Sequence, residues 1–262
     1  VRWAVVTGAS SGIGRELARV LAREGHGLVL AARRTAALEV LATELAQAHG
    51  TPTRVVGVDL ATPEGVEALV RACGDLEVEA LVNNAGYGLA GPFDALPADE
   101  QLGSVHLNVT ALTALTRAFL PGMRARGRGR VLNVASTAGF QPGPFMAVYY
   151  ATKAYVVSLS EALSAELAGT GVTVTALCPG FTRTDFATRA VPTGQQATRL
   201  FSGAMGALSA RDVAEAGVRG MARGHRRVVP GLLNRATALL MPLTPRPLAL
   251  AIVRHLNSAA GR

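Results

Sequence analysis

Short apolar, β-branched runs alternate along this chain with longer segments in which apolar positions recur every three or four residues. The short runs are Trp3 to Val6, Gly27 to Ala32, Arg54 to Val58, Ala80 to Asn83, Arg130 to Ala135, Val172 to Cys178 and Arg226 to Val229, which predicts about seven strands. Helical spacing runs over Gly12 to Arg23, Ala36 to Ala48, Gln101 to Met123, Val148 to Leu167 and Ala210 to Ala222. Two starts carry their own signals: Thr62-Pro63 offers an N-cap and an N1 proline, and Ser209 with Asp212 makes a capping-box-like pair. Strands apolar on both faces and separated by helices imply a parallel sheet covered on two sides, hence a doubly wound α/β architecture. No linker-like or repetitive segment interrupts residues 1–262, which read as a single domain. Beyond Pro230 two short apolar helices flank Pro242 to Pro247, so residues 230–262 form a C-terminal helical extension.

Composition narrows this picture in three ways. The chain has 262 residues, 49% of them hydrophobic, enough for a substantial core. It enters its first strand without a leader-like segment, and its apolar tail is broken by Arg235, Pro242, Pro245, Arg246 and Pro247, so a cytoplasmic chain without a spanning helix is expected. Cys73 and Cys178 are too few for a disulfide framework or a zinc site and read as small core residues in a reducing compartment; no metal is expected. The net charge of +8 includes a local run at Arg124, Arg126, Arg128 and Arg130, but without aromatic interleaving this reads as a solvated loop rather than a nucleic-acid site. Of 26 basic side chains all but Lys153 are Arg. A site that needs a compact ammonium beside another titrating group requires Lys specifically.

The first predicted strand runs into Thr7-Gly8-Ala9-Ser10-Ser11-Gly12-Ile13-Gly14 and then directly into a helix. Glycines allow a sharp turn and close approach to a pyrophosphate, and the helix start offers N–H groups and a positive dipole end. About twenty residues on, a dinucleotide fold places an acid for a ribose or an Arg for a 2′-phosphate. Here the second strand ends Ala31-Ala32-Arg33-Arg34, which favours NADPH/NADP+ over NADH through Arg33, with Arg34 read as a surface residue. Asp59-Leu60 ends the third strand, where the carboxylate can accept from an adenine amino group. Asn83-Asn84-Ala85-Gly86 ends the fourth; Asn83 either contacts the cofactor or caps a turn, and Ala85 and Gly86 leave room for a ribose.

Tyr149-Tyr150-Ala151-Thr152-Lys153 opens a helix, and the four-residue spacing puts Tyr149 and Lys153 on one face. A phenol of ordinary pKa near 10 is a poor acid–base group at neutral pH unless a neighbouring ammonium stabilises its anion. Tyr150, three residues from Lys153, is not excluded by spacing and is read as packing or pocket wall. Ser136 follows the fifth strand at the same sheet edge, as a turn residue or as a donor to a substrate carbonyl.

These residues resemble the short-chain dehydrogenase/reductase family, with TGASSGIG at Thr7 to Gly14, NNAG at Asn83 to Gly86, Asn108 in the long fourth helix, Ser136, YxxxK at Tyr149 to Lys153, and Pro179-Gly180 after the sixth strand. The resemblance covers residue 4 to about 185 and implies a Rossmann-type sheet and hydride transfer between NADP(H) and a carbonyl or alcohol, reduction being the expected direction. It implies that Tyr149 is the general acid–base and that Ser136 polarises the carbonyl. By the same resemblance Lys153 holds the nicotinamide ribose and lowers the Tyr149 pKa, and Asn108 positions a water in a proton relay. Cofactor contacts are then expected at Gly8, Ser10, Ser11, Gly12, Ile13, Gly14, Arg33, Asp59, Leu60, Asn83, Ala85, Gly86, Tyr149, Lys153, Pro179, Gly180, Thr182 and Thr184.

Substrate choice is expected in residues 139–146 and 185–208, where Phe140, Phe145, Phe181, Phe186 and Phe201 suggest an apolar pocket for a ketone, an aldehyde or a 3-oxoacyl-type compound. A homo-oligomer, dimer or tetramer, is expected. The C-terminal tail has three readings: it covers the pocket, builds a subunit interface or makes peripheral contact with a membrane.

Overall fold

The computed structural model describes residues 1–184, 186, 190 and 207–258. Its main sheet contains β1 (Trp3–Thr7), β2 (Gly27–Ala32), β3 (Thr53–Gly57), β4 (Val78–Asn83), β5 (Gly129–Val134), β6 (Val172–Leu177) and β9 (Arg227–Val228), in the order β3-β2-β1-β4-β5-β6-β9. All six pairings are parallel. The seven strands lie within a few residues of their expected bounds. A separate two-stranded piece, β7 (Thr182–Arg183) with β8 (Leu208–Ser209), was not expected, because two-residue strands have no period to read.

Alternation along the strands builds two cores. Ala4 and Val6 of β1, Leu28 and Leu30 of β2, and Ala80 and Val82 of β4 face α1 (Gly12–Arg23), α2 (Thr35–His49) and α7 (Ala210–Ala222). Val5, Val29, Leu81 and Val131 face the other way, onto α3 (Pro63–Ala72) and α5 (Leu112–Ala125), with Leu163 and Leu167 of the α6 (Ala147–Glu166) region. Leu17, Leu81 and Leu115 are at most 1% exposed, so truncating any of them to Ala costs about 2–5 kcal/mol. Both caps are formed: Gly65 N donates to Thr62 Oγ1 at 3.1 Å, and Asp212 N to Ser209 Oγ at 3.1 Å. Cys73 and Cys178 are buried thiols.

The helix expected over Gln101 to Met123 is divided. α4 (Ala98–Val105) gives way to a π-helical turn at His106–Ala111 before α5 begins. Such a turn is commonly found at functional sites, and this one contains Asn108. After β9 the chain forms α8 (Leu232–Leu240), a tight turn at Met241–Leu243 and α9 (Arg246–Asn257). Strand order reverses direction between β1 and β4, which opens a crevice at the carboxyl edge of the sheet.

Candidate active site

The glycine turn after β1 is held from below by β4. Thr7 Oγ1 donates to Val82 O and accepts from Asn84 N (2.9 Å) and Ala85 N (3.0 Å), while Asn84 Nδ2 donates to Thr7 O at 2.9 Å. Gly8 has φ 65°, and a Cβ there would lie 2.7 Å from Asn84 Nδ2, so glycine is needed for both conformation and space. At Gly14 a Cβ would come within 2.4 Å of Gly8 O, which lets α1 start directly against the turn. Across the turn, Gly12 faces the Thr184 side chain.

The turn fits an anionic cofactor. α1 has no acid in its first turn and no side-chain cap from Ser11, so its dipole end and backbone donors are not opposed by a negative group. Arg15 Nη2 donates to Ser10 O at 2.6 Å, while its Nε is buried without a partner. Arg34 Nη2 donates to Ser10 Oγ at 3.1 Å. Arg33 is 73% exposed at the side chain and lies 3.9 Å from Asp59 Oδ2, whose other oxygen accepts from Ala61 N. The cationic rim therefore includes Arg15 and Arg34 as well as Arg33; Arg34 is exposed, as expected of a surface residue, and is tied to the turn through Ser10.

Asn83 differs from its expected role. Its amide donates to Asn133 Oδ1 at 2.9 Å and to Thr116 Oγ1 at 3.1 Å, inside the layer between the sheet and its helices. Asn133 in turn donates to Ser160 Oγ. The Asn83 side chain thus ties strands to helices, and Asn84 is the one that braces the cofactor turn. Successive residues at a strand end point to opposite faces, and residue type alone does not say which of two adjacent asparagines faces the crevice.

Around the crevice the expected catalytic side chains come together. The Ser136 hydroxyl accepts from Ala138 N at 3.1 Å and donates to Pro179 O at 3.4 Å, and it lies close enough to the Tyr149 phenol to favour its ionised form. Lys153 is 5% exposed; its Nζ donates to Val134 O at 2.7 Å and lies 5.8 Å from the centre of the Tyr149 ring. Burial pushes the Tyr149 phenol up to about 12, with the Ser136 hydroxyl working against it, and burial lowers Lys153 to about 8. In this arrangement burial outweighs any ammonium effect on the phenol, so the protonated acid is the resting form of Tyr149 across neutral pH.

Asn108 reaches the same place through the π-helical turn. Its Oδ1 accepts from Tyr87 N at 3.1 Å, and its amide nitrogen donates to Tyr87 O (2.9 Å) and Thr152 Oγ1 (3.0 Å). A Cβ at Gly86 would lie 2.7 Å from Asn108 Oδ1 and 3.6 Å from Lys153 Nζ, which brings Gly86, Asn108 and Lys153 into one cluster. Thr152 had no signal in the sequence beyond its place inside the Tyr-Lys motif.

Tyr150 is packed elsewhere. It is 6% exposed among Ala90, Ala138, Met146 and Val253, and its hydroxyl donates to Asn257 Oδ1 of α9 at 3.3 Å. Asn257 Nδ2 donates to Pro144 O, so α9 is latched to both α6 and the loop before it. Among the aromatic residues expected in the pocket, Phe186 stacks 5.3 Å from Tyr149, and Phe145, with left-handed backbone (φ 64°), lines an open groove of about 780 Å³ against Pro247, Leu250 and Arg254. Phe140 instead packs with Ala135 and Val156 beneath the Arg227 guanidinium, away from Tyr149's ring partners. Phe201 and most of residues 185–206 lie outside the described residues.

Fold and site together define a dinucleotide-binding oxidoreductase class, and the comparisons with known proteins agree. Residues 2–194 match the family model for short chain dehydrogenase. The chain belongs to the short chain dehydrogenase family of oxidoreductases. A short-chain dehydrogenase from Sphingobium yanoikuyae in complex with NADPH superposes with TM-score 0.81 at 34% identity, over 91% of this chain and 92% of that one. A short chain dehydrogenase/reductase from Burkholderia phymatum in complex with NAD has TM-score 0.81 at 32% identity, over 92% of each. Over 176 residues the chain is 40% identical to a very-long-chain 3-oxoacyl-CoA reductase of Laccaria bicolor, a match covering 66% of this chain and 52% of that protein. The chain thus spans about half the length of that relative.

These relatives overturn the cytoplasmic location expected from the sequence. They are named for very-long-chain acyl substrates, and such chains partition into lipid by about 0.8 kcal/mol for each buried CH₂. The expectation rested on the absence of a leader-like segment, which carries no information in a chain spanning about half of its relatives. No helix among the described residues is long and apolar enough to cross a membrane.

Proposed function

We propose that the chain reduces the carbonyl of an apolar ketone or aldehyde with NADPH, a 3-oxoacyl thioester being the substrate class best supported. The observation that carries this reading is the grouping of Ser136 and Tyr149 with the buried Lys153, whose Nζ lies 5.8 Å from the Tyr149 ring centre. A nicotinamide dinucleotide, when bound, supplies the hydride. The glycine turn from Gly8 to Gly14 with Ser10, the Arg15, Arg33 and Arg34 rim, Asp59, Ala85, Gly86, Lys153 and the stretch Pro179 to Thr184 are the residues that would hold it.

The protein's own part is proton delivery and charge stabilisation. Tyr149, protonated because burial raises it to about 12, gives its proton to the carbonyl oxygen as negative charge develops there. Ser136, fixed by Ala138 N, turns its hydroxyl hydrogen to the same oxygen and stabilises it. The product is an alcohol, and the Tyr149 anion left behind faces the Lys153 ammonium. Reduction as the direction follows from the NADPH reading, since a chain that takes NADPH carries hydride to the carbonyl. Preference for NADPH rests on the cationic rim around Ser10; the substrate class rests on the 3-oxoacyl-CoA reductase relatives and on the apolar flank at Phe186 and Phe145.

Separate titrations with NADPH and NADH, followed by turnover with a 3-oxoacyl thioester and with a small polar ketone, test the proposal. Tighter NADPH binding and faster reduction of the thioester support it. Equal use of both cofactors would remove the 2′-phosphate reading, and preference for the polar ketone would remove the substrate class.

A further inference from the structure

The last two helices present leucines to solvent at helical spacing. On α8, Leu232 (83% exposed), Leu239 (68%) and Leu240 are followed by Leu243 (77%) in the adjoining turn. Offsets of seven and eight residues from Leu232 keep Leu239 and Leu240 on its side of the helix, and Leu243 follows in the turn. On α9, Leu248, Ile252 and Leu256 are exposed at four-residue spacing, while Ala249, Val253 and Asn257, one position along from each, are the buried stripe. Isolated exposed leucines are ordinary on protein surfaces; two adjoining helices carrying such stripes are not.

Charge selects the occupant. Residues 216–262 contain eight Arg and no Asp or Glu, and Arg235, Arg246 and Arg254 are exposed on the two helices themselves. A second copy of the chain would bring the same positive charge to this face. An anionic lipid leaflet answers both features, taking the leucines at its acyl boundary and the guanidinium groups at its phosphates. We propose that α8 and α9 form a peripheral docking element for an anionic lipid surface. Both helices lie on the surface and neither spans it.

Docking in this orientation also brings the substrate side to the lipid. The inner stripe of α9 packs on Tyr150 through Val253 and Asn257, and the groove between α9 and Pro144-Phe145 borders the docking face. An acyl substrate dissolved in the leaflet would meet the groove without crossing water; this consequence, and not the docking itself, rests on the reductase reading above.

The test is cosedimentation of the full chain with vesicles of phosphatidylcholine alone and of phosphatidylcholine mixed with phosphatidylglycerol, with sedimentation velocity in the absence of lipid. Pelleting with the phosphatidylglycerol vesicles, weakened by salt and lowered at least about tenfold in a Leu239→Glu/Leu243→Glu variant of unchanged circular dichroism and melting temperature, is the expected result. Three results would overturn the proposal: no pelleting with anionic vesicles, equal pelleting of the variant, or a leucine-dependent dimer that does not bind vesicles. Pelleting requires no turnover, so failure here and failure of the reductase reading are read out separately.

Discussion

At the carboxyl edge of the sheet, Asn108, Asn133, Ser136 and Lys153 are nearly inaccessible and each hydrogen-bonds a named partner, whereas on α8 and α9 it is leucines that face solvent. The first region places polar groups where burial is costly, and every one must therefore be positioned by the fold. The second leaves apolar groups where internal packing gains nothing from them. The edge is thus determined from within the molecule and the tail face from outside it: changes at the edge should alter chemistry and stability, and changes on the tail face should alter association alone.

Short of removing Tyr149 itself, the largest predicted effect is at Lys153. Lys153→Met should lower kcat for reduction by about 10²–10³-fold, since it removes the ammonium facing the anion that Tyr149 becomes, and the proton transfer it supports contributes on that order. Burial holds Lys153 at about 8 in the folded chain against 10.5 in the unfolded one. Between those values the unfolded chain binds more protons, so wild-type stability should rise as pH climbs through that window. Chemical denaturation across the window should show this rise in the wild type and a flatter curve in the variant; identical curves would show that Lys153 is not held in the form described.

Next in size, Arg34→Ala should weaken NADPH binding by about ten- to a hundredfold, the loss of a charge-assisted contact, with little change for NADH. Arg33→Ala should cost less, because its side chain is largely exposed and shares Asp59. Isothermal titration of both variants with both cofactors ranks the two, and a larger loss at Arg33 would reverse the assignment. Gly8→Ala should destabilise the fold by about 1–2 kcal/mol, because φ there is 65° and the added methyl meets Asn84. A melting temperature equal to the wild type would show that the turn relaxes at no cost. The smallest effect belongs to the tail: Leu243→Ser should change stability by no more than about 0.5 kcal/mol. A larger loss on denaturation would mean that the leucine face is packed after all and would erase the contrast.

Much of the edge was legible in the sequence because its signals are local. Tyr149 and Lys153 lie one helical turn apart, the glycines of Thr7 to Gly14 sit between a strand and a helix, and the single Lys stands out among arginines. Two-sided apolar runs gave the strands to within a few residues. The rest depends on contacts distant in sequence. Arg34 meets Ser10 across 24 positions, Asn84 meets Thr7 across 77, and Tyr150 meets Asn257 across 107. None of these pairings leaves a period or a motif. The interruption at His106–Ala111 was hidden for a different reason: a single π-helical turn barely shifts the apolar spacing of the helices on either side.

In the proposed mechanism the phenol of Tyr149, and not that of its neighbour Tyr150, delivers the proton. Comparing Tyr149→Phe with Tyr150→Phe for NADPH-dependent ketone reduction, with NADPH binding measured alongside, tests it most directly. Tyr149→Phe is expected to bind NADPH like the wild type and to lose turnover by about 10²–10⁴-fold, while Tyr150→Phe keeps turnover and loses only its tie to Asn257. Sustained turnover in Tyr149→Phe, or its loss in Tyr150→Phe with the fold intact, would contradict the assignment.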